Sequence, residues 1–281
     1  MKYSVLFGLL FLWRCIVLAQ PATEVWLFDL KSDGSVTNPV NVSNNPGYDN
    51  QPSFTRGGNL LLFTSTRNGQ TDIVSYEIAT SEKTWLTDTP ASEYSPLQIP
   101  GTFTFSTIGL EENGRQLLWN YSLNGGKGEI LIPYLKIGYH VWITDTELYA
   151  FVLGPHSTLQ KIDLSAQRAE IIQENIGRSL AYHNEQLYFL DKSNEITQIK
   201  SLDLQTGESV TVIDAIPNSE DFVISSNGEI YMGQNSTLYR YTPGTDSVWH
   251  VVADLKVFNL TNISRLAIAV DNKKIAMVTT E

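Results

Sequence analysis

The 281-residue chain contains a single cysteine, Cys15, which stands inside an apolar N-terminal segment. Removal of that segment leaves no thiol, which excludes disulfides, thiol catalysis and thiolate metal ligation. Basic residues are also scarce: 19 Lys and Arg against 30 Asp and Glu give a net charge of −11. Nucleic acid and anionic lipid are held by basic residues that displace counterions, so neither is expected as a partner. Past the N-terminus no apolar run approaches the roughly 20 residues that span a bilayer. There are four histidines, and the sequence has no Gly-x-Ser-x-Gly elbow, no His-Glu-x-x-His and no phosphate-cradling glycine loop. No residue is thereby marked as catalytic, and no cofactor is implied.

What is present begins with "MKYSVLFGLLFLWRCIVLAQ". Lys2 supplies a positive end, Val5 to Trp13 an apolar stretch, and Val17-Leu18-Ala19 a small-residue cleavage site, the layout of a secretory signal over residues 1–19. Cleavage before Gln20 removes Lys2 and Arg14 and leaves 17 basic against 30 acidic residues. The expected product is a secreted or periplasmic protein of residues 20–281 without a membrane span.

The remainder is a repeat. In "YDNQPSFTRGGNLLLFTSTRNGQTDIVSY" (48–76), Pro52-Ser53-Phe54 opens a strand, and Arg56 to Asn59 turns on glycines that tolerate positive φ. Leu60 to Ser65 is too continuously apolar to face water on either side, and Asp72 to Ile78 alternates as a half-exposed strand does. Lys83 to Thr87 completes four strands, the content of a propeller blade. The third strand recurs as "VWLFDL", "DIVSYEI", "LLWNYSL", "LQKIDL", "IKSLDL" and "LYRYTP", at intervals of 48, 45, 41, 40 and 39 residues. First strands recur in step, beginning near Pro52, Pro96, Val141, Leu180, Phe222 and Leu266. The last copy has two strands and the start of the mature chain has the two it lacks. An all-β, six-bladed propeller of four-stranded antiparallel blades follows, its last blade closed by N- and C-terminal strands.

"QPSFTRGGNLLLFTSTRNGQTDI" resembles the TolB-type propeller repeat, in which a proline and an aromatic precede Ser-Pro-Asp-Gly, an apolar strand and Ser-x-Arg-x-Gly-x-x-Asp-Ile. Thr55-Arg56-Gly57-Gly58 stands where that pattern has Ser-Pro-Asp-Gly, and Ser226-Asn227-Gly228 and Asp271-Asn272-Lys273 are remnants of it. The resemblance implies a bacterial, secreted, propeller-only subgroup without the N-terminal TolB domain. The Tol-system role, which depends on that domain, is not implied.

In such a ring six entry loops converge on one channel mouth, where small propellers bind ligands. The entries "YDNQ", "SEYS", "GYHV", "IGRS", "SEDF" and "ISRL" bring Gln51, Glu93, Tyr94, Tyr139, His140, Arg178, Ser179, Glu220, Asp221 and Arg265 toward it. Arginine presents paired planar donors that match a carboxylate or phosphate, so Arg178 and Arg265, with His140 and Tyr94, suit a small anionic ligand or an acidic peptide end. Three readings stay open. One is non-catalytic binding of such a ligand or an envelope protein. The second is a metal-assisted hydrolase or lyase with Glu93, His140, Glu220 and Asp221 as ligands. The third is an interaction scaffold in which the charged residues only tie blades together. His156, His183 and His250, and the tryptophans on strands, are read as surface and packing residues.

Overall fold

A computed structural model describes residues 22–280. The signal segment and Cys15 lie outside the described residues. Each of the six sheets holds four antiparallel strands. Blade 1 consists of β3 (Asn50–Phe54), β4 (Leu60–Arg67), β5 (Gln70–Glu77) and β6 (Lys83–Trp85). Blade 2 runs β7 (Ser92–Gln98), β8 (Thr104–Leu110), β9 (Gln116–Ser122) and β10 (Glu129–Ile132). Blade 3 has β11 (Ile137–Trp142), β12 (Glu147–Val152), β13 (Thr158–Asp163) and β14 (Arg168–Glu174). Blade 4 has β15 (Ile176–His183), β16 (Gln186–Asp191), β17 (Gln198–Asp203) and β18 (Ser209–Asp214). Blade 5 has β19 (Phe222–Ile224), β20 (Ile230–Gln234), β21 (Thr237–Tyr241) and β22 (His250–Asp254).

Blade 6 is composite. β23 (Thr261–Ile268) and β24 (Lys274–Thr280) come from the C-terminal end, β1 (Glu24–Leu30) and β2 (Val36–Asn41) from the N-terminal end. β1 pairs with β24 in unbroken register from Glu24↔Thr279 to Asp29↔Lys274. Closure leaves no unpaired edge between the first and last blades.

Burial follows position in the blade. Second strands such as β4 and β24 are sealed on both faces by neighbouring blades and read as apolar runs, whereas the outer strands β14, β18 and β22 are largely exposed. The core is divided into six apolar layers, one at each interface between blades. Leu61 and Phe63 of blade 1, for example, meet Val25, Leu27, Ala276 and Val278 of blade 6.

First strands begin earlier than the sequence suggests in most blades: β15 starts at Ile176 rather than near Leu180. The cause is a bulge. β15 pairs at Ile176↔Asp191, loses register, and resumes at Leu180↔Phe189. Comparable breaks separate Asn50 from Ser53, Tyr94 from Leu97 and Thr261 from Arg265. Gln51 and Ser95 sit in these bulges at φ +53°. In blade 4 the bulge carries Gly177, where an added Cβ would lie 2.7 Å from the Leu190 Cβ.

Phe28 is fully buried between blades 5 and 6 and lies 5.7 Å, ring to ring, from Phe258. Phe28→Ala is expected to cost about 3–5 kcal/mol in denaturant unfolding. A loss below about 1 kcal/mol would show that the N-terminal strand does not clasp the ring.

Candidate functional site: the central channel

The channel is a cavity of about 250 Å³ lined by all six innermost strands or the residues entering them. At corresponding positions these supply Gln51, Ser95, Tyr139, Arg178, Asp221 and Arg265, a tier that is polar all the way round. Two residues further on lie Ser53, Leu97, Val141, Leu180, Val223 and Ala267; all but Val141 line the cavity. The period of two along a strand sets this spacing.

Part of the polar tier joins blades. Gln51 Oε1 accepts from the Ser95 amide at 3.0 Å, Ser179 Oγ from the Phe222 amide at 3.1 Å, and Asp221 Oδ1 from the Leu266 amide at 2.9 Å. Each link crosses from one inner strand to the next. Burial raises the Asp221 carboxyl to about 6, against the opposing charges of Arg265 and Arg178.

The arginines are held more loosely. Arg265 donates from one terminal nitrogen to the Ser264 carbonyl at 2.7 Å and from the other to the Tyr139 hydroxyl at 2.9 Å. Its Nε lies 3.7 Å from Asp221 Oδ2, beyond hydrogen-bonding distance, and has no hydrogen-bond partner among the described residues. Arg178 faces Glu220 at 3.7 Å, and its Nε is likewise without a partner. Glu220 is also paired with Lys192 on the rim, which holds its carboxyl below the usual range.

Several expected residues are placed otherwise. Glu93 does not line the channel. It is fully buried between blades 1 and 2, where it accepts hydrogen bonds from Thr89 and, at 3.5 Å, from the Tyr121 hydroxyl. The bulge between Tyr94 and Leu97, with Ser95 at φ +53°, breaks the alternation that would set residues 93 and 95 on one face, and presents Ser95 to the channel instead. Tyr94 lines a side recess with Gln51 and Tyr139 and meets Tyr48 edge-on, with ring centroids 6.4 Å apart. Glu220 occupies two rim recesses that share Arg178. His140 does line the channel, but as a neutral group: burial lowers its pKa to about 3 and Nε2 lies 2.6 Å from Ser106 Oγ. It adds no charge for an anion.

The set Glu93, His140, Glu220 and Asp221 is therefore not a metal centre. One member is between blades, one is paired with Lys192, and Asp221 stands beside two arginines. Among the described residues no three His, Cys, Asp or Glu side chains are grouped to hold an ion.

Two participants escape the sequence reading. Tyr48, in the first entry phrase, has its hydroxyl raised to about 12 by burial near the channel arginines. Lys192 belongs to the loop between the second and third strands of blade 4, and such loops emerge on the same face as the entries. That rule of topology would have found it.

A larger hollow of about 1270 Å³ lies between blades 1 and 2, lined by Arg67, Trp85, Trp119 and Tyr121 among others. Of the two cations that line it, Arg67 and Lys127, Arg67 is already engaged: it pairs with Asp72 and Asp88, donates to the Thr87 carbonyl and covers the Trp85 ring at 4.2 Å. Trp249, placed by the sequence on an outer strand, precedes β22; it packs on Tyr241 and donates to the Asp214 carbonyl. These aromatics fill and pin blades, as their strand positions suggest.

No protein-family model matches the chain, and no curated protein matches it significantly. Solved structures share its fold, that of TolB-like six-bladed propellers. A TolB-assigned protein of Agrobacterium tumefaciens superposes with a TM-score of 0.73 at 12% identity, covering 92% of this chain and 99% of its own. A gluconolactonase of Xanthomonas campestris gives 0.63 at 10% identity, with 94% and 98% covered. An oligogalacturonate lyase in complex with manganese gives 0.57 at 13% identity, with 90% and 82% covered. Such identities establish the architecture and leave the chemistry to the residues described above. Among the described residues no helix is long and apolar enough to cross a membrane.

Glu93 yields a pH dependence. Burial, with the Asp72 charge adding to it, raises its pKa from 4.5 to about 7. The native state then retains a proton that the unfolded chain has released, so stability is expected to fall as pH rises from about 4.5 to about 7. Asp49 and Asp221, both raised to about 6, act in the same direction. Glu93→Gln should flatten part of this slope in melting curves across that range; an unchanged slope would place the titration elsewhere.

Proposed function

We propose that this protein is a binding propeller whose polar channel tier receives a small anion without chemical turnover. The observation that carries this reading is the pair of guanidinium groups, Arg178 and Arg265, in one cavity, with Arg178 held among the described residues only by an ion pair to Glu220 at 3.7 Å. A carboxylate supplies acceptors for the terminal nitrogens of Arg178, in the two-point geometry that arginine favours. Tyr139, bonded to Arg265, holds that guanidinium in place, and Lys192 adds positive charge at the rim. Against Asp221 and Glu220 the three cations leave the mouth with one positive charge in excess, on a protein that is acidic as a whole.

The test is thermal unfolding of the mature protein with short peptides, acidic sugars, dicarboxylates and monocarboxylates. A ligand at 100 times its Kd adds about 2.7 kcal/mol to stability. Arg178→Ala should abolish the shift while the protein alone melts as before. A shift that survives this substitution would move the site away from the channel.

The N-terminal segment supports delivery to the periplasm with cleavage after Ala19. N-terminal sequencing of protein recovered from that compartment should begin at Gln20; a start at Met1 would overturn this.

A further inference from the structure

The two tiers of the channel differ in kind, and the difference specifies the ligand. Around the mouth every strand contributes a polar residue, two of them the arginines. Two residues further on, Leu97, Leu180, Val223 and Ala267 line the same cavity, joined by Phe54, Ala181 and Ile268 one position beyond. The one polar residue in that second tier, Ser53, is already engaged, its hydroxyl donating to the Pro96 carbonyl. Buried polar groups of a ligand would find few partners at that depth, and unpaired burial is costly. Apolar surface placed there is favoured.

We infer that the channel binds an amphipathic monocarboxylate, with its carboxylate on Arg178 and Arg265 and its apolar body against Leu97, Leu180, Val223 and Ile268. This rests on the anion-binding reading and adds to it the chemical class of the ligand. Size sets a scale for the part of the ligand that the channel encloses. Water takes about 30 Å³ per molecule in the liquid, so a cavity of about 250 Å³ holds on the order of eight non-hydrogen atoms. That corresponds to a straight-chain acid of about six carbons, or a compact aromatic acid. The second carboxylate of a dicarboxylate would have to enter the apolar tier, away from any cation, and is rejected.

Calorimetric titration of the mature protein with acetate, butyrate and hexanoate, and with succinate as the polar counterpart of butyrate, tests this directly. Affinity should rise roughly fourfold per added CH₂, from about 0.8 kcal/mol for each buried methylene. The rise should level off beyond about eight non-hydrogen atoms, and succinate should bind more weakly than butyrate. Val223→Thr, which keeps the side chain's shape and adds a hydroxyl, should lower hexanoate affinity and leave acetate unchanged, whereas Arg178→Ala should weaken every acid. Leu97→Ser provides a second probe of the apolar tier should Val223→Thr melt early. Affinities independent of chain length, or succinate binding as well as butyrate, would overturn the amphipathic ligand while the anion site stands. No binding by any acid, with Arg178→Ala without effect, would overturn both.

Discussion

Six inner strands stand around the channel, and each has one edge with no strand beside it. That unpaired edge is the constraint on which the rest depends. Prolines 52 and 96 occupy it, where a missing amide hydrogen costs no ladder bond. Elsewhere side chains do what a neighbouring strand would do: Gln51, Ser179 and Asp221 each take the amide hydrogen of the next blade's inner strand. The six apolar layers then hold the blades at a spacing that keeps these short links in reach. Packing sets the ring, and the links set the register of one blade against the next.

The same links divide the polar tier into parts that are occupied and parts that are free. Gln51, Ser179 and Asp221 are committed to the frame, and His140 is uncharged and turned to Ser106. Without a hydrogen-bond partner in the lining are the Nε of both guanidinium groups, Ser95 Oγ and His140 Nδ1, and Arg178 has only its ion pair to Glu220. A site built this way is stiff where it borders the blades and receptive only where an acceptor is missing. Preorganisation of that kind lowers the ordering cost a ligand would otherwise meet.

The architecture was legible in the sequence because every blade repeats one phrase, and because complementary half-blades at the two ends can be matched by eye. The inner-strand starts were misplaced since bulges interrupt pairing without leaving a strong local signal; a glycine such as Gly177 is their only mark in blade 4. The site was half legible. Arg178, Arg265, Tyr139, Gln51 and Asp221 were found in the entry phrases, but neighbours in one phrase point in opposite directions. Glu93 and Ser95, two apart, would share a face in a regular strand; the bulge after Tyr94 breaks that alternation, so Glu93 lies between blades while Ser95 lines the channel. His140 was placed at the channel, but its neutral state was not legible, since burial is a property of the packed ring and not of the phrase "GYHV".

The composite sixth blade also governs the order in which the molecule can be assembled. Blades 1 to 5 are each made of consecutive segments and can pair as the chain emerges. β1 must wait for β24, which follows blades 1 to 5 in the chain, before its open edge is covered. Until then the nascent protein is an arc with two exposed apolar faces, one on blade 1 and one on blade 5, and is at its most vulnerable to aggregation. Completion comes in a single late step, so a chain cut short anywhere before Lys274 yields an unlatched arc rather than a smaller ring.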